Sequence, residues 1–216
     1  MLYFVLHHGN ERNITPELAN SLREAVKHGC KLILSQDSRF EPFEEYKEFP
    51  FEHIVDDTPA APDFAAFQNA VLKVIPEGEW ILWVDFDEYL CNNFFEKVKP
   101  YLDSKRAWVY QVTRINIIEP QERVDDLIKE FKEYGWRYVM IDVPEYGKVK
   151  AINFPDYQTR LSVAGKGKWY GKVHDRIVVE NGFKQKTLPF DGGYILHRKS
   201  YEKQITDNAL WSTYTP

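Results

Sequence analysis

Cysteine is scarce: two residues in 216, Cys30 and Cys91, at neither a C-x-x-C nor a zinc-binding spacing. That excludes a disulfide scaffold and a zinc module, and predicts reduced thiols of an intracellular protein. Positive charge is not in excess. Lys+Arg is 28 against Asp+Glu 33, a net charge of −5, which argues against nucleic-acid binding by bulk charge. No apolar run approaches the about 20 residues of a membrane span. Met1 leads straight into Leu-Tyr-Phe-Val-Leu with no basic segment and no small-residue cleavage site, which predicts no secretory leader and a cytoplasmic location. Neither G-x-G-x-x-G nor G-x-x-x-x-G-K-[ST] occurs, so the common dinucleotide and P-loop phosphate cradles are not expected.

Core-forming residues, by contrast, are plentiful. Hydrophobic residues make up 44% of the chain, with 13 Tyr, 14 Phe and 6 Trp, enough for a packed core. Leu2–Leu6 reads as a first strand. Thr15-Pro16-Glu17 is a helix start, with Leu18, Leu22, Ala25 and Val26 on one face and His28-Gly29 at the end. Lys31–Ser35 follows as a second strand, completing a β-α-β unit. Phe51–Val55 reads as a short edge strand, and Asp63 caps a helix bearing Phe64, Phe67, Ala70, Val71 and Val74. After a boundary near residue 105 come shorter strand-like runs and two helices, the last capped by Ser200. The chain reads as a single α/β domain over 1–216, with a first half (1–104) and a second half (105–216) of different texture.

The most informative stretch is Trp80-Ile81-Leu82-Trp83-Val84-Asp85-Phe86-Asp87-Glu88. Five apolar residues suit a strand buried on both faces. The carboxylates then fall where ligands collect in open α/β sheets, beyond the strand's carboxyl end. Carboxylates this close repel one another unless a cation or donor groups lie among them, and Mg²⁺ and Mn²⁺ prefer carboxylate oxygens. The alternative is a polar turn that happens to be acidic. Asp37, ending the second strand, could accept from a nucleobase N–H or merely cap a turn. Arg160 could hold a phosphate or pair with Asp156. His197 is a ligand candidate or a structural histidine. His174 and Asp175, with His197, could suggest an iron-binding triad, but adjacent strand residues point to opposite faces.

In order and spacing these features resemble nucleotide-sugar glycosyltransferases of the GT-A fold, specifically glycosyltransferase family 2. Asn69 in a helix precedes Gly78-Glu79-Trp80-Ile81 and Asp85-Phe86-Asp87-Glu88, similar to that family's Asp-x-Asp segment. Pro155-Asp156-Tyr157-Gln158-Thr159-Arg160-Leu161, Trp169-Tyr170-Gly171-Lys172-Val173-His174-Asp175 and Leu196-His197 resemble later segments of a subgroup. Two loops depart from it. His7-His8-Gly9-Asn10 stands for an opening Pro-x-Tyr-Asn, and Gln36-Asp37-Ser38 for Asp-Asp-Gly-Ser.

The resemblance implies a Rossmann-like, mixed and mostly parallel sheet flanked by helices. It implies a Mn²⁺ or Mg²⁺ ion held by Asp87 and His197, with Asp85 on the ion through water or on the ribose. His8, Asp37, Asn69, Arg160, Lys172 and His174 would contribute to the nucleotide-sugar site, the donor being a UDP-sugar in the first instance. Asp175 would be the base that takes the acceptor hydroxyl's proton, with Asp156 in reserve, giving transfer with inversion. The acceptor would be a glycan or other hydroxyl compound; nucleic acid enters only as an acceptor bearing a modified base. The alternatives are a metal-dependent nucleotidyltransferase and a GT-A domain that binds nucleotide sugars without catalysis.

Overall fold

The computed structural model describes residues 1–9, 14–40, 44–55, 58–60, 63–171, 176–179 and 185–212. Strand β1 (Leu2–His8) is buried along almost its whole length, which explains its unbroken apolar run. Helix α1 (Pro16–Lys27) starts as the sequence predicts: the Leu18 amide donates to the Thr15 hydroxyl at 3.2 Å and Pro16 occupies the first turn. Its buried stripe is Leu18, Ala19, Leu22 and Ala25, while Val26, expected on that stripe, is exposed. Strands β2 (Lys31–Gln36) and β3 (Phe51–Val55) follow, then helix α2 (Phe64–Val71), whose Ala66 amide donates to the Asp63 carboxylate at 2.9 Å. The chain reaches β4 (Trp80–Asp85), turns at Phe86-Asp87, and returns as a three-residue strand β5 (Glu88–Leu90).

Helix α3 (Phe94–Ser104) leads to β6 (Val109–Glu119), helix α4 (Val124–Glu130) and β7 (Tyr138–Val143). Strand β8 (Gly147–Val163) is one continuous element where the sequence suggests two runs broken at Pro155. The break is absorbed by a shift in pairing with β6 between Arg114 and Asn116, the kind of irregularity where a strand tolerates proline. Short strands β9 (Lys168–Tyr170), β10 (Arg176–Val178) and β11 (Gln185–Thr187) precede β12 (Tyr194–Ser200), which runs into helix α5 (Tyr201–Ser212).

The main sheet has the order β3-β2-β1-β4-β8-β6-β12-β5, with β11 beside β6 and β7 beside β8; β9 and β10 form a separate pair. It is parallel from β3 through β4. Strand β8 enters antiparallel between β4 and β6, and β12 is parallel to β6. Strands β1, β2, β4, β6 and β12 therefore all point their carboxyl ends toward one edge. The mixed α/β sheet flanked by helices is the architecture expected from the sequence. Trp83, one of the largest fully buried side chains, satisfies its indole N–H on the Ser162 hydroxyl at 2.8 Å, linking β4 to β8 through the core. Cys30 and Cys91 are free thiols. Among the described residues, no helix is long and apolar enough to cross a membrane.

Candidate active site

Two rows of polar side chains cross the sheet at that shared edge. Pairing places Ser35, His7 and Asp85 side by side on β2, β1 and β4, and Glu88, His197 and Asn116 side by side on β5, β12 and β6. Residues in register share a face of the sheet, so each row meets as a group although its members lie far apart in sequence.

Glu88 joins the rows. Its carboxylate is fully buried. One oxygen accepts from Arg160 and, at 3.3 Å, from Arg114; the other accepts the Asp85 backbone N–H at 3.0 Å. Arg160 also donates to Asp85 at 2.7 Å. Burial raises the Asp85 carboxyl, and the Arg160 guanidinium together with His7 and Arg114 more than offsets it, leaving the group below its ordinary range. Arg114 donates to Asp156 at 2.8 Å, and Asp156 also accepts from Asn116 at 3.0 Å and from Gln158. Burial works to raise Asp156, but Arg114 and these donors lower it.

His197 and Asp87 face one another, with Nε2 3.3 Å from Oδ1. The His197 tautomer follows from its other neighbour. The Asn116 amide nitrogen donates to Asp156 and to the Ile152 carbonyl at 3.3 Å, so its oxygen, 2.8 Å from His197 Nδ1, must accept. Nδ1 then carries the proton. Burial lowers the pKa of the imidazole, favouring its neutral form. Nε2 therefore presents a lone pair to a carboxylate oxygen. Two acceptors facing each other at this distance suit a cation between them, and an imidazole oriented by an amide oxygen is the usual surrounding of a metal-binding histidine. Asp87 and His197 thus offer two ligands for a divalent ion, while among the described residues no group of three or more His, Cys, Asp and Glu is gathered to hold one. The second Asp87 oxygen lies 3.3 Å from Lys199 and 3.4 Å from Lys203, which come from the end of β12 and the first turn of α5. Burial raises Asp87, but His197 in its protonated form, with Lys199 and Lys203, holds it well below the usual carboxylate range.

Several expected residues have other work. Asn69 holds the backbone of Trp169, donating to its carbonyl at 2.9 Å and accepting its N–H at 3.0 Å. Both ends of the amide fasten α2 to β9. Arg160 pairs with Asp85 and Glu88 through one guanidinium nitrogen, leaving its buried Nε without a partner, and Arg114 takes Asp156. Asp156, the reserve base, is saturated by three donors and so poorly placed to accept a proton. Asp37 lies at the expected edge, but both its oxygens accept from Arg39, Oδ2 at 2.6 Å, and that pairing lowers its pKa against burial. His8 is buried, its Nδ1 against the Gln36 side-chain oxygen and its ring against those of Tyr46 and Phe86. Lys172, His174 and Asp175 lie outside the described residues.

Glu88, noted in the sequence only as a neighbouring acid, and Arg114, Asn116, Lys199 and Lys203, not singled out there, complete the site. Arg114 and Asn116 left one trace: two polar residues at i and i+2, alternating with the apolar Ile115 and Ile117, a pattern that places both on one face. His7, beside Asp85 and stacked on Trp83, is lowered to about 4 by burial and is neutral near pH 7.

No family model and no curated protein sequence matches the chain. Among solved structures it is similar to S. aureus TarS, at 16% identity and a TM-score of 0.42 over 54% of this chain and 22% of that one. It is also similar to S. aureus TarS 1–349, at 14% identity and 0.38, covering 53% and 36% of the two chains. A third similar structure is glucosyl-3-phosphoglycerate synthase from Mycobacterium tuberculosis, in complex with Mn²⁺, UDP and phosphoglyceric acid, at 13% identity and 0.48, covering 95% and 73%. The chain thus spans about a fifth and about a third of the two TarS chains.

Proposed function

We propose that this chain is a glycosyltransferase that moves a sugar from a nucleotide diphospho-sugar, in the first instance a UDP-sugar, to an acceptor hydroxyl with inversion. The observation that carries the reading is the pair formed by Asp87 and His197 at the carboxyl edge of the sheet. Their acceptor atoms face one another, and the ring is oriented by Asn116. Asp87 and His197 would hold Mn²⁺ or Mg²⁺, which when bound supplies positive charge to the donor's diphosphate as it leaves. The sequence resemblance to family 2 enzymes points the same way.

The chain's own groups divide the remaining work. Asn116 holds the His197 ring with Nε2 turned inward. Lys199 and Lys203 place two ammonium groups beside Asp87, where phosphate oxygens can share them. Arg160 and the buried Glu88 fix Asp85, whose partly exposed carboxylate can accept from ribose hydroxyls. Asp37 can accept from the base once Arg39 turns away. Asp175 is the proposed base. It removes the acceptor hydroxyl's proton as the oxygen attacks the anomeric carbon from the side opposite the diphosphate, which inverts that centre. It directly precedes Arg176, which lines a cleft beside Arg160.

A thermal-shift panel of UDP-, GDP-, TDP- and CDP-sugars with and without Mn²⁺ tests the reading. Ligand binding to the folded state raises its stability, by about 2.7 kcal/mol at a hundred times Kd. At least one donor should give a metal-dependent rise in Tm. Asp87→Asn should abolish it, whereas Asp175→Asn should keep it and lose turnover. No metal-dependent shift with any donor would sink the proposal.

A further inference from the structure

A cleft of about 330 Å³ opens between α2, β6, β8, β9, β10 and β11. It lies within the usual span of ligand pockets, about 300–1,000 Å³. Its floor includes Arg160, so it begins next to Asp85. Its walls are rich in carboxamides: Gln68, Gln111, Gln158 and Gln185 come from four different elements. Each carboxamide offers both a donor and an acceptor. The Gln111 oxygen accepts from Thr187 at 3.2 Å, which turns its NH₂ to the remaining directions.

Three atoms here are unaccounted for. The Gln68 Oε1 acceptor and the Trp169 Nε1 and Arg160 Nε donors are all buried and have no hydrogen-bond partner, on residues 7%, 4% and 6% exposed. Buried polar atoms are nearly always paired, and an orphaned acceptor and two orphaned donors lining one cleft indicate a missing ligand or water. Tyr157, half-exposed in the same wall, presents an aromatic face.

The charge balance narrows the ligand. Arg160 is already neutralised by Asp85 and Glu88. The site's ammonium groups, Lys199 and Lys203, are paired with Asp87 and Asp207, outside the residues that line the cleft. Arg176 is the other cation of the lining. A phosphorylated acceptor would want a cluster of cations on these walls. Vicinal hydroxyls, each both donor and acceptor, match carboxamides, and the C–H face of a sugar ring matches Tyr157.

We infer that this cleft is the acceptor subsite and that it takes an uncharged, hydroxyl-rich sugar ring. The inference rests on the glycosyltransferase reading for its word acceptor, but the binding it describes can be measured without turnover. Saturation-transfer NMR on the full chain would use methyl glucoside, methyl galactoside and N-acetylglucosamine as neutral probes, with inorganic phosphate, UDP and UDP-glucose as competitors. At least one neutral probe should receive saturation. Its affinity should fall about three- to tenfold, the worth of a typical hydrogen bond, in Gln111→Ala and in the exposed Gln185→Ala. UDP with Mn²⁺ should leave the probe bound. No transfer to any neutral probe, or the same affinity in both variants, overturns the inference. Displacement by inorganic phosphate overturns it in favour of an anionic ligand. Displacement by UDP-glucose but not by UDP assigns the cleft to the donor's own sugar and overturns the acceptor role. Neutral probes that bind in a Gln111-dependent way while no nucleotide binds would leave the sugar cleft standing and remove the donor reading.

Discussion

Glu88 shows how much one buried carboxylate can organise. It has no exposure to solvent and it touches two guanidinium groups and a backbone amide of the Asp85 turn. A buried charge is tolerated only when fully paired, and removing one member leaves its partners uncompensated at a cost of about 3–5 kcal/mol. Glu88→Gln is therefore expected to lower the free energy of unfolding by roughly that amount, read as a lower urea midpoint with an unchanged slope. Asp87→Asn should cost much less. The Asp87 side chain reaches solvent, and its removal leaves Lys199 and Lys203 the Asp207 carboxylate as a partner. A Glu88→Gln protein as stable as the parent would show that the two arginines do not depend on it. The sequence offered Glu88 only as the third acid of a cluster. Its burial follows from the chain turning at Phe86-Asp87 and resuming as β5, and a three-residue strand carries no periodic signal.

At the level of elements, what was legible depended on how local the cause was. Strands β1, β2 and β4 and helices α1 and α2 follow from unbroken apolar runs, helical spacing and the caps Thr15 and Asp63. The placement of Asp85 and Asp87 at a strand's carboxyl end follows with them. The tie between Asn69 and Trp169 left no trace in the sequence, because Trp169 is 100 residues away on a strand too short to announce itself. The meeting of Asp87 and His197 has no local cause either; it requires β12 to pair between β6 and β5. Asn69→Ala should cost about 1–2 kcal/mol, since it leaves the Trp169 backbone groups without their side-chain partners. The same variant should keep its metal-dependent shift with a nucleotide sugar. Loss of that shift at unchanged stability would place Asn69 at the donor site. A second expectation concerns acid. Asp85, Asp87 and Asp156 all sit below the ordinary carboxyl range in the fold. A depressed folded-state pKa contributes stability that is present above the unfolded value, about 3.9, and is lost as pH falls through the folded values. The urea midpoint should begin to fall below about pH 6.5, where the buried neutral His7 and His197 resist protonation, and fall more steeply below about pH 4 as the carboxylates titrate. Asp156→Asn should be less stable at neutral pH and show a shallower acid limb.

Across the whole molecule, the sheet's carboxyl edge gathers charges that nearly cancel. The carboxylates of Asp85, Asp87, Glu88 and Asp156 stand against Arg114, Arg160, Lys199 and Lys203. A divalent cation alone meets a carboxylate flanked by two ammonium groups. A nucleoside diphosphate alone meets the carboxylates of Asp85 and Asp87. Each ligand by itself disturbs the balance; together they restore it, the cation's charge against that of the diphosphate. The two should therefore bind with positive coupling, which for linked sites is typically about 1–3 kcal/mol and is reciprocal. UDP with Mn²⁺ should stabilise the chain by more than the sum of the two separate effects, with Mn²⁺ tightening UDP by the same factor by which UDP tightens Mn²⁺. Isothermal titration in both orders measures both factors. Lys203→Ala should weaken UDP alone while easing Mn²⁺ alone, because removing one ammonium shifts the edge toward negative charge. Strictly additive stabilisation, or a Lys203→Ala variant that weakens both ligands equally, would mean that this edge does not read the two as a neutral pair.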